Sequence, residues 1–239
     1  MAPDAIGLDK RFYLGMAVLL AAVIFLGFAP SYYLKGVIHA PTPPLTPLTL
    51  THGAVYTAWV ALFVTQAALI GVGQPRLHRQ LGVLGAMLFG AMLVLGLSTA
   101  ITAGKMGHSP PGMPPALPFM ALPVIGLLFP AGLVTAALLL RGRRDWHMRL
   151  MLSAMLLLTP PATGRLAVGL GVAPLGFQLS MIAVELLLAA AIAYDLWTRK
   201  RFHPAYGWAA AAVAVEHATI AWAFTAPAWW MAVAGWLTR

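Results

Sequence analysis

Residues Thr46 to Val72 read T-P-L-T-L-T-H-G-A-V-Y-T-A-W-V-A-L-F-V-T-Q-A-A-L-I-G-V. At ~1.5 Å per residue an unbroken helix of this length crosses a ~30 Å hydrocarbon core. Thr46 is suited to cap it, and Pro47 falls where a first-turn proline is tolerated. With 100° between successive residues, His52, Tyr56, Trp59, Phe63 and Gln66 share one narrow stripe. A span facing only lipid has no need of such a stripe, so this helix is expected to look inward, onto partners or a ligand.

The rest of the chain agrees with a membrane setting. Of 239 residues, 61% are hydrophobic and 9% charged, and the mean hydropathy is +0.84. Those values exclude an ordinary soluble domain and indicate a polytopic protein whose first partner is the lipid bilayer. Cysteine is absent, which removes disulfides, thiolate metal sites and cysteine nucleophiles. The net charge of +9 comes from short basic clusters between apolar runs. That is topology charge, and it argues against a nucleic-acid partner. The opening M-A-P-D-A-I-G-L-D-K-R lacks a signal-peptide pattern, so the first apolar run reads as a retained span.

Apolar segments of spanning length fall at about 12–30, 47–72, 80–103, 117–140, 146–164, 176–197 and 205–225. The expected fold is therefore an all-α, seven-span helix bundle forming one domain over 1–239. Lys10, Arg11, Arg76, Arg79, Arg141, Arg143, Arg144, Arg149, Arg199, Lys200 and Arg201 lie on one side, against Lys35, Lys105, Arg165 and Arg239 on the other. The positive-inside rule then puts the N-terminus in the cytoplasm and the C-terminus outside. The tryptophan-rich tail after 225 is too short to span again and reads as an interfacial helix on the outer surface.

The connectors and helix faces add detail. The outer loop 31–44 reads as ordered or extended, and the loop K-M-G-H-S-P-P-G-M-P-P brings Met106, His108 and Met113 together, a set soft enough for copper(I). On base rates for short motifs it reads first as a plain Pro/Gly loop. Gly82, Ala86 and Gly90 in the third span, and Gly207, Ala210, Ala214, His217 and Ala221 in the seventh, form small-residue faces suited to close packing. Pro118, Pro123 and Pro130 predict a kinked fourth span, and T-P-P-A-T-G-R bends or stops the fifth near Arg165. Three inner connectors repeat a pattern of basic residues, a histidine and an outgoing helix, at His78, His147 and His203. With Arg79 and Arg149 these residues either anchor helix ends among headgroups or form an inner-surface site for an anionic group.

Of six carboxylates, Asp4, Asp9, Asp145 and Asp195 fall in or near aqueous ends, leaving Glu185 and Glu216 inside apolar spans. An ionisable residue there costs about 2.5–3.5 kcal/mol, so each demands a partner or a function. Counted from the outer boundary, Glu185, His217 and His52 lie at similar depth, with Arg165 within reach as a counter-ion. Three readings of this layer stand side by side. It is a polar network that fixes helix packing. It is a haem b or redox site with His52 and His217 as axial ligands, Tyr56 and Trp59 as walls and Arg165 on a propionate, served by a quinone or other electron partner. Or it is a zinc site of His52, Glu185, Glu216 and His217 with an open position for a hydrolytic water.

The combination of H-G-x-x-Y-x-x-W-x-x-L-F-x-x-Q in the second span, R-L-H-R-Q-L-G after it and Y-D-L-W-T-R-K-R-F-H-P-A-Y before the last span resembles uncharacterised multi-span proteins of bacterial inner membranes. That resemblance implies a family without an established activity. More distantly, histidines on a compact bundle resemble the di-haem b-type cytochromes, which implies electron transfer across the membrane. Such cytochromes set paired histidines deep on facing helices, whereas His78, His147 and His203 stand here at helix starts. The span count and orientation are similar to seven-span zinc hydrolases of the ceramidase and adiponectin-receptor type, although the seventh span carries a single His217. The expected function is a haem-binding or redox-associated membrane protein. The alternatives are a zinc-dependent intramembrane hydrolase, a proton-coupled transporter, or an accessory subunit of a larger membrane complex.

Overall fold

The computed structural model describes residues 3–40, 42–110 and 112–239, and among these every regular element is helical. In order they are α1 (Pro3–Phe28) running into a π-helical turn (Ala29–Tyr33), α2 (Pro47–Gly71), α3 (Pro75–Lys105), α4 (Ala116–Phe119), α5 (Ala121–Leu139), α6 (Arg144–Leu157), α7 (Pro160–Gly169), a 3₁₀ turn (Ala173–Leu175), α8 (Gly176–Arg199), α9 (Pro204–Phe224) and α10 (Ala228–Leu237). Six segments are long and apolar enough to cross a membrane: Gly7–Tyr33, Pro47–Gly71, Pro75–Lys105, Ala116–Leu139, Arg144–Gly169 and Ala173–Arg199. A seventh is made only by taking α9 and α10 together, and these are bent by 86°. Large apolar side chains point outward along these segments, among them Val83, Val94, Leu128, Leu186 and Trp222. Lipid is their natural solvent, and the helices fit a multi-pass integral membrane protein.

Chain contacts divide the structure into two compact units, Met1–Leu95 and Gly96–Arg239, with the division inside α3. In the first, Thr46 caps α2 by accepting from the Thr49 N–H, while Thr49 Oγ1 accepts from the Thr46 N–H at 2.8 Å. This reciprocal pair closes the helix start that the sequence places there. Helix α1 packs along α2, where the Tyr33 and Thr57 hydroxyls bond at 2.9 Å and Lys10 Nζ donates to the Gly71 carbonyl at 3.2 Å. That last contact satisfies a helix-end carbonyl with a cation. Pro30 cannot donate a helical hydrogen bond, and the chain widens there into a π turn closed by the Leu34 N–H on the Ala29 carbonyl at 2.8 Å.

In the second unit, α5, α6 and α9 pack on one another, α8 joins α6 and α9, and α7 lies on α8. Prolines shape two of its spans as expected. The Ala116–Leu139 span is broken between α4 and α5 at Met120 and carries Pro130 inside α5. The T-P-P stretch interrupts the next span, but Pro160 and Pro161 then open α7, which continues to Gly169.

The tail forms the expected short helix, and α10 docks on α4. Trp230 and Ala234 enter a core with Met120, Ile125 and Ile220, and Trp230 Nε1 donates to the Leu117 carbonyl at 2.8 Å. The small-residue face of α3 does not receive a neighbouring backbone. Ala86 and Gly90 are exposed, and a Cβ added at Gly90 meets nothing within 4 Å; the buried positions include Gly85, Phe89, Met92, Gly96 and Ala100. On α9 the buried face is Tyr206, Ala209, Val213, Glu216 and Ile220, one position over from the expected small-residue face, on which Ala214 and Ala221 are exposed. Phe89 and Met92 on α3, and Tyr206, Val213 and Ile220 on α9, share these buried faces with small residues, so the covered faces are not the ones that the four-residue spacing of small residues marked.

Candidate functional site

Helices α8 and α9 form an antiparallel hairpin through a short connector, with Lys200 in the left-handed region at φ 55° ending α8. Within it His217 Nδ1 lies 3.1 Å from Glu185 Oε1. His217 is largely enclosed, with 12% of its side chain exposed, while Glu185 is open at 57%. Glu185 lines a groove of about 270 Å³ with Leu188, Ile192, Ala210 and Ala214, so one carboxylate oxygen engages the imidazole at the mouth of an apolar cleft. With Glu185 ionised and His217 neutral, this contact puts the ring hydrogen on Nδ1 and leaves the lone pair on Nε2. Nε2 is buried and has no hydrogen-bond partner among the described residues. The equal depth inferred for Glu185 and His217 is thus realised as a direct contact.

The preceding residue, Glu216, leaves α9 in a different direction, since neighbours on a helix stand 100° apart. It is 1% exposed, and its Oε2 has no hydrogen-bond partner among the described residues. Its Oε1 lies 3.5 Å from the position where a Cβ at Gly126 would stand, against the backbone of α5.

The inner-surface residues are already engaged with the chain. Arg149 is 1% exposed and its Nε donates to Asp195 Oδ2 at 2.6 Å; Arg199 donates to Asp195 Oδ1 at 2.6 Å. Asp195, expected near an aqueous end, is fully buried because both its oxygens are taken by guanidinium groups. The Arg149 guanidinium also lies over the Tyr206 ring at 5.8 Å and donates to the Asp145 carbonyl at 2.6 Å. His203 caps α9 by accepting from the Ala205 N–H on Nδ1 at 3.2 Å. Its hydrogen is therefore on Nε2, 3.0 Å from Asp145 Oδ2, which accepts it. His147 Nδ1 meets the Ala137 carbonyl at 2.8 Å across the α5–α6 turn. In the first unit Gln66 Nε2 donates to the His78 carbonyl at 3.1 Å, and His78 Nδ1 lies 3.3 Å from the Gln66 carbonyl, beside Arg79. Each of the three connector histidines ties a helix end to its neighbour. Asp145, Asp195, Arg199 and Tyr206 were not singled out from the sequence as partners in this cluster. The signal that could have found part of it is the i,i+4 spacing of Asp195 and Arg199.

The aromatic stripe of α2 does turn inward, against α3. Trp59 is buried and packs on Phe89 with ring centroids 5.0 Å apart. Tyr56 donates to the Met92 carbonyl at 3.1 Å, and the His52 ring lies over Tyr56 at 4.0 Å. His52 belongs to the first compact unit and His217 to the second. Arg165, on α7, is exposed and donates to the Pro161 carbonyl of its own helix at 2.8 Å. In the loop after α3, Met106 is 70% exposed and the His108 N–H returns to the Ala103 carbonyl at 2.9 Å, closing the helix. Among the described residues, no three His, Asp or Glu side chains gather as a metal-ligand set, and the zinc arrangement of His52, Glu185, Glu216 and His217 gains no support. Compared with known proteins, the chain matches no family model, no curated protein and no solved structure.

Proposed function

We propose that this chain is a multi-pass protein of the bacterial inner membrane, with its N-terminus in the cytoplasm, that moves protons through the α8–α9 helix pair. The observation that carries this reading is the 3.1 Å contact of His217 Nδ1 with Glu185 Oε1 inside apolar helices. An imidazole with one nitrogen on a carboxylate and the other facing the protein interior can take a proton at one edge and release it at the other. With the hydrogen on Nδ1, the enclosed Nε2 is the edge that takes a proton, and Glu185, open on its groove, accepts the one that Nδ1 releases. The basic residues concentrated at the connectors of one side support the orientation.

The test is a reconstitution. Vesicles carrying the purified chain and an internal pH dye, with an imposed membrane potential, should acidify faster than protein-free vesicles. Glu185→Gln and His217→Asn should each return the rate to the protein-free level. Equal rates with and without the protein, or variants as fast as the parent chain, would refute the proposal.

A haem-binding or redox-associated protein is the second reading, and one observation favours it. A carboxylate on Nδ1 with a bare Nε2 is the arrangement of a metal-ligating histidine, and His217 has it. His217 would supply the axial nitrogen and Glu185 would fix its orientation. The donor fits, but Nε2 is closed in by protein, so a porphyrin face would require the neighbouring helices to part. An absorption spectrum of protein purified from its native membrane decides the matter: a Soret band that weakens in His217→Ala supports haem, and a featureless spectrum after haem supplementation removes it.

A further inference from the structure

Proline at position 130 has no N–H, so the carbonyl four residues earlier in α5, that of Gly126, lacks the donor that closes an ordinary helical turn. Gly126 also presents no side chain, and the carboxyl group of Glu216 from α9 comes up against the backbone at that point, with Oε1 3.5 Å from where a Cβ would stand. Helices α5 and α9 pack directly on one another, and Glu216 is 1% exposed. The result is a carboxyl group lodged against the main chain of α5 in a buried seam, at the residue whose carbonyl lacks its helical donor. A carbonyl and an ionised carboxylate are both acceptors, and neither satisfies the other.

No side chain of α5 can supply the missing hydrogen. Its single hydroxyl, Thr135, donates to the Ala131 carbonyl at 2.8 Å. On α6, Ser153 Oγ is buried with no hydrogen-bond partner among the described residues, so it does not serve Glu216 either. The charged and titratable groups on the elements packed against α9 are accounted for elsewhere. Helices α4 and α5 carry none. On α6, Arg149 is held by Asp195, Asp145 by His203, His147 faces the Ala137 carbonyl and Arg144 is exposed. On α8, Glu185 meets His217, while Tyr194, Asp195 and Arg199 lie toward its far end. The Arg149 cluster meets α9 at Tyr206, ten residues before Glu216, or about 15 Å along the helix.

We propose that Glu216 is a proton-binding site that latches α9 to α5, its carboxyl O–H donating to the Gly126 carbonyl that Pro130 leaves without a helical donor. One proton turns an acceptor facing an acceptor into a hydrogen bond, and its loss places an unpaired charge in the seam and releases the latch. Glycine at 126 gives the carboxyl access to the main chain. This site is distinct from the Glu185–His217 pair and does not depend on its conducting protons.

Infrared spectroscopy of the full chain in lipid nanodiscs reads the protonated carboxyl directly through its C=O stretch. The parent protein near neutral pH should show such a band. Glu216→Gln, which keeps volume and hydrogen bonding, should lose it, while Glu185→Gln should retain it. Pro130→Ala returns an N–H to the Gly126 carbonyl, weakens the bond from Glu216, and should move the band to higher wavenumber. A parent spectrum without the band, a Glu216→Gln spectrum that keeps it, or a Pro130→Ala band at unchanged frequency would overturn the proposal. The vesicle assay can fail while this band is present, and the reverse, so the two proposals fall separately.

Discussion

Arg149 Nε donates to Asp195 Oδ2 at 2.6 Å with 1% of each side chain exposed, which makes the pair the buried electrostatic joint between α6 and α8. Arg199 takes the other carboxylate oxygen from outside, with 15% of its side chain exposed. A buried ion pair adds little over well-packed apolar residues, but removing one partner strands the other at a cost of about 3–5 kcal/mol. We expect Asp195→Ala to lower the thermal midpoint in detergent sharply, followed by circular dichroism. The double variant Arg149→Met with Asp195→Leu should recover most of that loss. A single variant that melts with the parent protein would mean the pair does not hold the helices together.

The stripe on α2 makes a contrasting prediction. Trp59 stacks on Phe89 and Tyr56 donates to the Met92 carbonyl, so these residues act as the α2–α3 seam. Trp59→Ala removes a buried aromatic and should destabilise by about 3–5 kcal/mol. Tyr56→Phe removes one hydrogen bond and should cost about 1 kcal/mol. Neither should alter the rate of vesicle acidification per folded protein. A large loss of flux in Tyr56→Phe with unchanged stability would show that the stripe serves transport rather than packing.

How much of this was legible follows from what each feature depends on. The α2 helix, its Thr46 cap and its inward stripe depend on local spacing, and the sequence reading matches the structure there. The pairing of Glu185 with His217 was also within reach, because a helical hairpin fixes register. Counted from the connector, Glu185 lies 14 residues back along α8 (199 − 185) and His217 13 residues along α9 (217 − 204). Asp195 was not legible in the same way. Its distance from a span end suggested water, whereas its burial is decided by Arg149 arriving from another helix. The direction of Glu216 was hidden for a similar reason: periodicity locates a face, but packing selects which face is covered. The four-residue spacing of small residues on α3 and α9 suggested the covered faces, and packing covered others.

His203 makes a prediction about a helix start. Its Nδ1 accepts from the Ala205 N–H at 3.2 Å, the task usually given to Ser, Thr, Asp or Asn, while Nε2 donates to Asp145. His203→Asn should therefore retain most of the cap, whereas His203→Ala should lose about 1 kcal/mol from it. Nitrogen NMR of the ring should find the hydrogen on Nε2 and none on Nδ1. A ring carrying its hydrogen on Nδ1 would exclude the cap, since that nitrogen could no longer accept.

The last prediction concerns α10, whose largest buried side chain is Trp230. Trp230 is 2% exposed within the core shared by α5 and α9, and its indole N–H reaches the Leu117 carbonyl at 2.8 Å. Helix α4 ends at Phe119 with the break at Met120, so the Leu117 carbonyl is one of its last-turn acceptors and is available to a partner from outside the helix. Trp230→Phe keeps the ring but loses the donor, leaving a buried carbonyl without that bond at a cost of about 1–3 kcal/mol. Trp230→Ala loses the packing as well and should free α10 from α4. Hydrogen exchange read by mass spectrometry should then rise across 228–237 in Trp230→Ala, and less so in Trp230→Phe, while α6 and α8 stay protected. Trp236, which is 67% exposed, serves as the control, and Trp236→Ala should leave exchange in the tail unchanged. Equal exchange in the Trp230 and Trp236 variants would show that α10 is held by the bilayer and not by its dock on α4.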